Sequence, residues 1–577
     1  MLDCLVTGGD VIDGRGGPRQ RADVGIRDGH IVTIAPVGSV DEDAARTVDA
    51  SGLVVAPGFI DIHTHYDAQL FWDPAATPSP LHGVTTIVGG NCGFTIAPLD
   101  AAEADYLMRM LARVEGMPLE SLAEGVPWDW RTFGEYLDRL EGNVGVNAGF
   151  LVGHSAIRRV VMREAAVGEE ATSEQIDEMA RLLDASLQAG GMGFSSSLAA
   201  THNGGDGRPV PSRFSTRDEL LAMCRVVRQH PGTTLEFIPA VGGFEPEHLE
   251  LMTDMSLTAN RPLNWNVLAV NAAQPQNHER LLAASDYATE RGARVLALTI
   301  PDAMTVHLNF KTAFILDAFP GWAETMALPP EEKKRALSDP EVRRRLKEGA
   351  SSPDAGVLRN MANWERMRIV DTLAPENKVF AGRAVGKIAA EQGKDAFDAL
   401  LDIVVADDLG TVLSPPTAAG DTESWRMRAA VWRDPRAVVG ASDAGAHLDM
   451  LSTFTYSTSM LRGVREHDLM PLEEAVHLLT DVQARLYGIR GRGRVEEGWN
   501  ADLVIFDESR IAPGPVHTRM DLPGGAGRLY AEAEGIEHVL VNGTEVVTGQ
   551  KLTGELPGSV LRSGRDTETV EVPGARS

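Results

Sequence analysis

Cysteine is nearly absent: Cys4, Cys92 and Cys224 are the only 3 in 577 residues. Three thiols cannot form a disulfide framework. Positive charge is also scarce. Lys and Arg total 54 against 82 Asp and Glu, a formal net charge of -28, which repels nucleic acid and anionic membrane and excludes both as expected partners. No run approaches the roughly 18–20 apolar residues needed to span a bilayer. The start, Met1-Leu2-Asp3-Cys4-Leu5-Val6, lacks the basic head and long apolar core of a secretory signal. The expectation is a soluble, cytoplasmic protein. A homo-oligomer is compatible with the sequence.

What remains is an ordinary globular balance, 43% hydrophobic and 24% charged, in a chain long enough for a large catalytic domain plus a minor one. Residues 1–56 alternate short apolar runs with turns, and Asp28-Gly29 between two such runs signals a hairpin. The other end reads alike, with strands at 501–506 and 536–541. One small β domain built from residues 1–56 and 491–577, enclosing an α/β unit at 57–490, is the economical reading. The middle has the cadence of a (β/α)8 barrel. Its expected strands are Val54–Ile62, Thr85–Val88, Asn147–Val152, Gly193–Ser196, Thr234–Ile238, Leu263–Val270, Val295–Leu298 and Ala437–Ala441. Thr172 or Ser173 is the expected N-cap of a helix reaching Ala189. A helical insertion is expected at about 302–380, where Pro329-Pro330-Glu331 and Asp339-Pro340-Glu341 suit helix N-termini. A substrate-gating lid and a plain surface elaboration fit it equally. The chain after Arg565 is expected to fray.

The first barrel strand runs into His63-Thr64-His65. Side chains two apart on a strand share a face, so both imidazoles can grip one metal ion. Barrel enzymes place catalytic groups at the C-terminal ends of strands, and two further candidates stand there. Cys92 follows the second strand within Gly89-Gly90-Asn91-Cys92-Gly93, whose glycines let the backbone bring the thiol to the mouth. Asp443 follows the last strand in Ser442-Asp443-Ala444-Gly445-Ala446-His447. It would ligate the metal, take a proton from its water and pass it to a leaving amine. His447 binds substrate or caps the following helix. Thiolate and imidazole ligands favour zinc over magnesium or calcium.

These segments resemble a known family. Phe59-Ile60-Asp61-Ile62-His63-Thr64-His65, Gly90-Asn91-Cys92-Gly93 and Ala441-Ser442-Asp443 are similar to the metal motifs of the amidohydrolase superfamily, and the cysteine to its D-aminoacylase branch. Leu151-Val152-Gly153-His154-Ser155, residues 388–395 and residues 535–543 extend the resemblance over nearly the whole chain. It implies a zinc-dependent hydrolase of amide bonds with a β-sandwich beside the barrel, and an N-acyl (D-)amino acid as substrate. The D configuration rests on the resemblance alone. D-aminoacylases also place a histidine on strand five and another on strand six, which with the cysteine hold a second zinc. Here those strands read Thr234-Leu235-Glu236-Phe237-Ile238 and Leu263-Asn264-Trp265-Asn266-Val267, without histidine. One Zn2+ per chain at His63, His65, Cys92 and Asp443 is therefore expected. Glu236, Asn264 and Asn266 are candidates for the pocket wall, or satisfied polar groups of the barrel interior, with Glu236 a further ligand or acid/base group. His154 would stabilise the oxyanion or make a structural hydrogen bond, and Arg158 or Arg159 would bind a substrate carboxylate or lie on the surface. The alternatives are hydrolysis of a cyclic or other unusual amide, and a non-catalytic scaffold.

Overall fold

Eight short apolar or small-residue runs become parallel strands. They are β1 (Phe59–Asp61), β2 (Val84–Gly89), β3 (Asn147–Phe150, continued by Val152–Gly153), β4 (Gly193–Ser197), β5 (Thr234–Ile238), β6 (Leu263–Leu268), β7 (Val295–Thr299) and β8 (Ala437–Val439). Covered on both faces, they lack the in-out alternation of half-exposed strands. The computed structural model describes residues 1–574 apart from 304, 312–315, 318 and 417–419. Residues 304, 312–315 and 318 of the expected insertion, and 575–577 of the tail, lie outside this set.

β1, β2 and β3 pair in order, and Val152–Gly153 opens a second series through β4, β5, β6 and β7 to β8. Hydrogen bonds join the two series at both ends. Leu151 N–H donates to Gly89 O at 3.0 Å and Met192 N–H to Phe150 O at 2.7 Å. On the other side His65 N–H donates to Ala444 O at 2.7 Å and Asp443 N–H to His63 O at 3.1 Å. Ser442 Oγ donates to the buried Asp61 Oδ2 at 2.5 Å across the same seam. Helices fill the connections. Thr172 caps Ser173–Gln188, its hydroxyl accepting from Gln175 N–H at 3.3 Å while Gln175 returns a bond to Thr172 N–H.

Both chain ends contribute to one 9-stranded sheet, in which Val54–Pro57 pairs antiparallel with Leu503–Phe506. The expected continuous strand Val54–Ile62 is thus two strands in two sheets. Gly58 is the step between them: a Cβ there would lie 2.1 Å from Thr85 Oγ1, so the close approach requires glycine.

The insertion reaches further than its helix signals suggest. Pro330–Ser338 and Pro340–Ser351 form as expected, each with proline in its first turn. Val385–Gln392, Ala396–Ala406 and the strand Val412–Ser414, paired with Arg368–Asp371, belong to the same body. Phe397, Leu400 and Val404 share a hydrophobic core with Trp322 and Trp364, so the boundary lies past 380.

The tail does not fray within the described residues. Thr567 Oγ1 donates to Gly232 O at 2.7 Å, Glu568 N–H to Gly488 O at 2.7 Å, Val572 N–H to Asn260 Oδ1 at 3.1 Å and Gly574 N–H to Gly292 O at 2.7 Å. Gly232, Asn260 and Gly292 precede β5, β6 and β7, so the tail straps the face opposite the strand ends that carry the candidate ligands. No helix among the described residues is long and apolar enough to cross a membrane.

Candidate metal centre

β1 delivers His63 and His65 to its C-terminal end, where their rings lie 5.4 Å apart, centroid to centroid. Cys92 Sγ comes from the turn after β2 and sits 3.4 Å from His63 Nε2 and 3.8 Å from His65 Nε2. Asp443, after β8, places Oδ1 3.5 Å from His63 Nε2 and 3.2 Å from His65 Nε2. One ligand atom from each of His63, His65 and Cys92 falls within 4.8 Å of the others. The turns that aim these groups are held in the left-handed region at non-glycine residues: φ is 58° at Cys92, 60° at Ala441, 59° at Asp443 and 48° at His447. Such strain concentrates where a site over-determines the backbone.

The surroundings are acidic and buried. Glu236 on β5 accepts Cys92 N–H at Oε2, 2.8 Å away, while its Oε1 is buried without a hydrogen-bond partner. Burial raises the Glu236 carboxyl to about 8 and pushes the Cys92 thiol well up, Glu236 adding to the second effect. Burial opposes charge on His65 as well, yet Glu115 and Asp443 together raise it to about 10. Burial also works against ionisation of Asp443, but hydrogen bonds to His63 and His65 hold its carboxyl well below the usual range. A thiol, two imidazoles and a carboxylate converging in a buried, acid-rich pocket fit a divalent cation. It would offset the charge that burial otherwise penalises, and the sulfur and nitrogen donors suit zinc.

A cavity of about 190 Å3 opens beside these atoms, lined by His65, Cys92, Asp443, His447 and Asn266. Asn266 Nδ2 lies 3.1 Å from His63 Nε2. His447 caps no helix, because the next helical turn begins only at Thr453; its Nε2 stands 4.0 Å from Asp443 Oδ2. Two ionisable lining residues escape sequence reasoning. Glu115, just past the helix Ala104–Val114, holds Oε1 3.6 Å from His65 Nδ1 and accepts His447 N–H at its backbone oxygen. No local motif marks it. His202 lies in the loop after β4, with Nδ1 2.8 Å from Ser197 Oγ. Its position just beyond a strand end was a usable signal. A larger open depression of about 950 Å3 on the insertion, lined by Arg366, Arg368, Lys387 and Lys394, contains none of the candidate ligands.

Other expected site residues are engaged elsewhere. His154 Nε2 is 2.8 Å from Glu219 Oε1 and its Nδ1 is 2.8 Å from Ser196 Oγ. Arg158 Nη1 donates to both Glu219 oxygens at 2.5 Å. All three side chains are fully buried, and neither His154 nor Arg158 lines the cavity. The expected oxyanion and carboxylate-binding roles give way to a buried ion cluster tying the helix His154–Met162 to Arg217–Gln229. Arg159 pairs with Glu103 and covers the Tyr106 ring at 3.8 Å. Asn264 Nδ2 is spent on Leu235 O and Tyr487 Oη inside the barrel layers.

Comparison with known proteins agrees with this geometry. The amidohydrolase family model matches residues 46–547. A D-aminoacylase of Alcaligenes xylosoxydans xylosoxydans is 30% identical over 97% of each chain. A solved D-aminoacylase, described for a binuclear metal centre with one-metal activation and second-metal attenuation, superposes with a TM-score of 0.64 at 26% identity, covering 97% of this chain and 100% of that one. The N-acyl-D-glutamate deacylase of Bordetella bronchiseptica, complexed with zinc and a phosphonate mimic of the tetrahedral intermediate, gives 0.63 at 26% identity with the same coverage. The chain is a member of the amidohydrolase family, with an α/β fold of the TIM-barrel type and the D-aminoacylases among its relatives.

Proposed function

We propose that the chain hydrolyses a C–N amide bond of a small molecule of the N-acyl amino acid type, with one zinc ion held by His63, His65, Cys92 and Asp443. The observation that carries this reading is the convergence of these four side chains, from the ends of three strands, beside a cavity. A divalent cation bound there supplies Lewis acidity, lowering the pKa of water from about 15.7 to near 7 and polarising the amide carbonyl.

The protein's own groups handle the proton and the pose. Asp443, held low by the two histidines, is ionised and ready to take a proton at a carboxylate oxygen and return it to the leaving nitrogen. Glu115 orients His65 through Nδ1, and Glu236 fixes the Cys92 turn through the backbone N–H. β5 and β6, which carry Glu236 and Asn266, hold no histidine of the kind the expected two-metal pattern places on strands five and six, which supports a single ion. The β-sandwich of residues 1–56 and 491–577, the (β/α)8 unit between them and a cytoplasmic location belong to the same reading; the 9-stranded sheet built from both ends supports the first.

Metal analysis of purified wild type, Cys92→Ala and Asp443→Ala, beside turnover of N-acyl D- and L-amino acid derivatives, tests it. About one tightly held ion per wild-type chain and less in the variants is expected. Two ions refute the single-metal site, and a metal-loaded protein that cleaves no derivative removes the assigned substrate class.

A further inference from the structure

The cavity beside the candidate ligands is small for a whole substrate. At about 190 Å3 it falls below the roughly 300–1,000 Å3 of most small-molecule pockets. A second cavity of about 510 Å3 adjoins it, and two chain stretches run from one into the other. At the end of the helix Ala104–Val114, Val114 and Glu115 line the first cavity, then Gly116 and Met117 the second. After β8, Asp443 lines the first, His447 lines both and Met450 lines the second. The two stretches meet at this boundary. His447 N–H donates to Glu115 O, and a Cβ on Gly116 would lie 3.2 Å from His447 Cα and Nδ1.

Three parts of the chain enclose the second cavity: the end of that helix, the insertion, and the segment 518–529, whose Leu529 N–H donates to Leu448 O at 2.6 Å. Much of its wall is apolar. Met117, Val412 and Leu529 are buried, while Leu373 and Met520 stand 39% and 56% exposed. Eight large apolar side chains are well exposed among the described residues; these two line the second cavity and Val241 lines the first. Exposed apolar groups gathered at a cavity mark a place where something apolar binds. The charged groups on the wall are matched or lie at its rim. Arg113 pairs with Asp317 at 3.0 Å, Arg528 with Asp521 at 2.9 Å, and Asp449 accepts from Asn309 Nδ2 at 2.8 Å. Glu120 and Lys311 are exposed.

We propose that the second cavity receives an extended apolar chain of the substrate, which makes the molecule hydrolysed an amphiphile: an N-acyl amino acid with a long unbranched chain on its acyl arm or its side-chain arm. This rests on the amide-hydrolase reading above and narrows its substrate class. The scissile amide stays beside Asp443 and the two histidines, and the chain passes His447. Its methylenes then replace water against Met117, Leu373, Met520 and Leu529. Each methylene so buried strengthens binding about fourfold. Methionine suits such a wall, because its flexible thioether adapts to chains of different length.

The experiment measures kcat/KM on the zinc-loaded full chain for two series in D and L forms. One lengthens the acyl arm, from N-acetyl- through N-butanoyl- to N-octanoylalanine. The other lengthens the side chain, from N-acetylalanine through N-acetylnorleucine to N-acetyl-2-aminodecanoate. Calorimetry compares the products without turnover, octanoate with acetate and 2-aminodecanoate with alanine. Between the shortest and longest member of one series kcat/KM is expected to rise about thirtyfold or more, with product affinity rising alongside. The series that responds identifies the arm. Leu373→Glu combined with Met520→Glu, both at exposed positions, is expected to cut the rise to about threefold or less. Turnover of N-acetylalanine, metal content and Tm should stay unchanged in that variant. Flat rates and flat product affinities in both series overturn the proposal, and so does a chain-length effect that the double variant leaves intact. If no compound is cleaved while a long-chain product binds better to wild type than to the double variant, the chain-binding cavity stands and the hydrolase assignment falls.

Discussion

His82 gives the clearest quantitative test of the packing. It is fully buried in the turn before β2, with Nδ1 2.8 Å from Thr458 Oγ1 and Nε2 3.0 Å from Ala531 O. It therefore ties the base of the strand layer to the helix Tyr456–His467 and to the segment between Arg528–Tyr530 and Ala533–Glu534. Burial lowers its pKa from 6.5 to about 4, with the Ala531 carbonyl offsetting only part of the penalty. Between those two values the unfolded chain binds a proton that the folded chain refuses, so stability falls as pH drops from about 6.5 and levels off below about 4. At 1.36 kcal/mol per pH unit the full effect is about 3 kcal/mol, of which about 2 kcal/mol is reached at pH 5. The perturbation is His82→Gln, whose amide can still donate to Ala531 O and accept from Thr458 but does not titrate. Urea unfolding of both proteins at pH 7.5 and at pH 5 isolates the term, since every other titrating group is common to the pair. Wild type is expected to lose about 2 kcal/mol more than the variant over that interval. Equal losses would refute the claim that His82 is held neutral by burial.

Two further perturbations address structure away from the cavity. Glu219→Gln leaves Arg158 buried without its carboxylate and is expected to cost about 3–5 kcal/mol in chemical denaturation; a loss under about 1 kcal/mol would mean that Arg158 and His154 find other partners. Deleting everything after Arg565 removes the tail's bonds to Gly232, Gly488, Asn260 and Gly292. A lower Tm with unchanged metal content is expected, and an unaltered melting curve would show the strap to be passive.

Strand positions are legible here because parallel strands covered on both faces need continuous small or apolar runs, and Thr234-Leu235-Glu236-Phe237-Ile238 stands out between turn formers at the length the structure adopts. What that signal cannot carry is which sheet a run joins. Val54–Pro57 and Phe59–Asp61 look like one strand, and only the crowding of Gly58 against Thr85 separates them. The ligand side chains are readable for the same local reason: each sits at a strand end within a short motif. Glu115 has no such address, since it reaches His65 only through the long-range packing of its helix. His154 and Arg158 mislead in the opposite sense. They follow β3 at a strand end, as catalytic groups do, but Glu219, some 60 residues later in sequence, claims both.

Thr567 bonds to Gly232 across 335 residues, and Leu503–Phe506 completes a sheet begun by Val54–Pro57. Contacts of such sequence separation are slow to close and leave earlier segments exposed in the meantime. A ribosome makes this chain from the end that must wait. The loops before β5, β6 and β7 emerge with their hydrogen-bonding partners still untranslated, and that face closes only after residues 567–574 have followed.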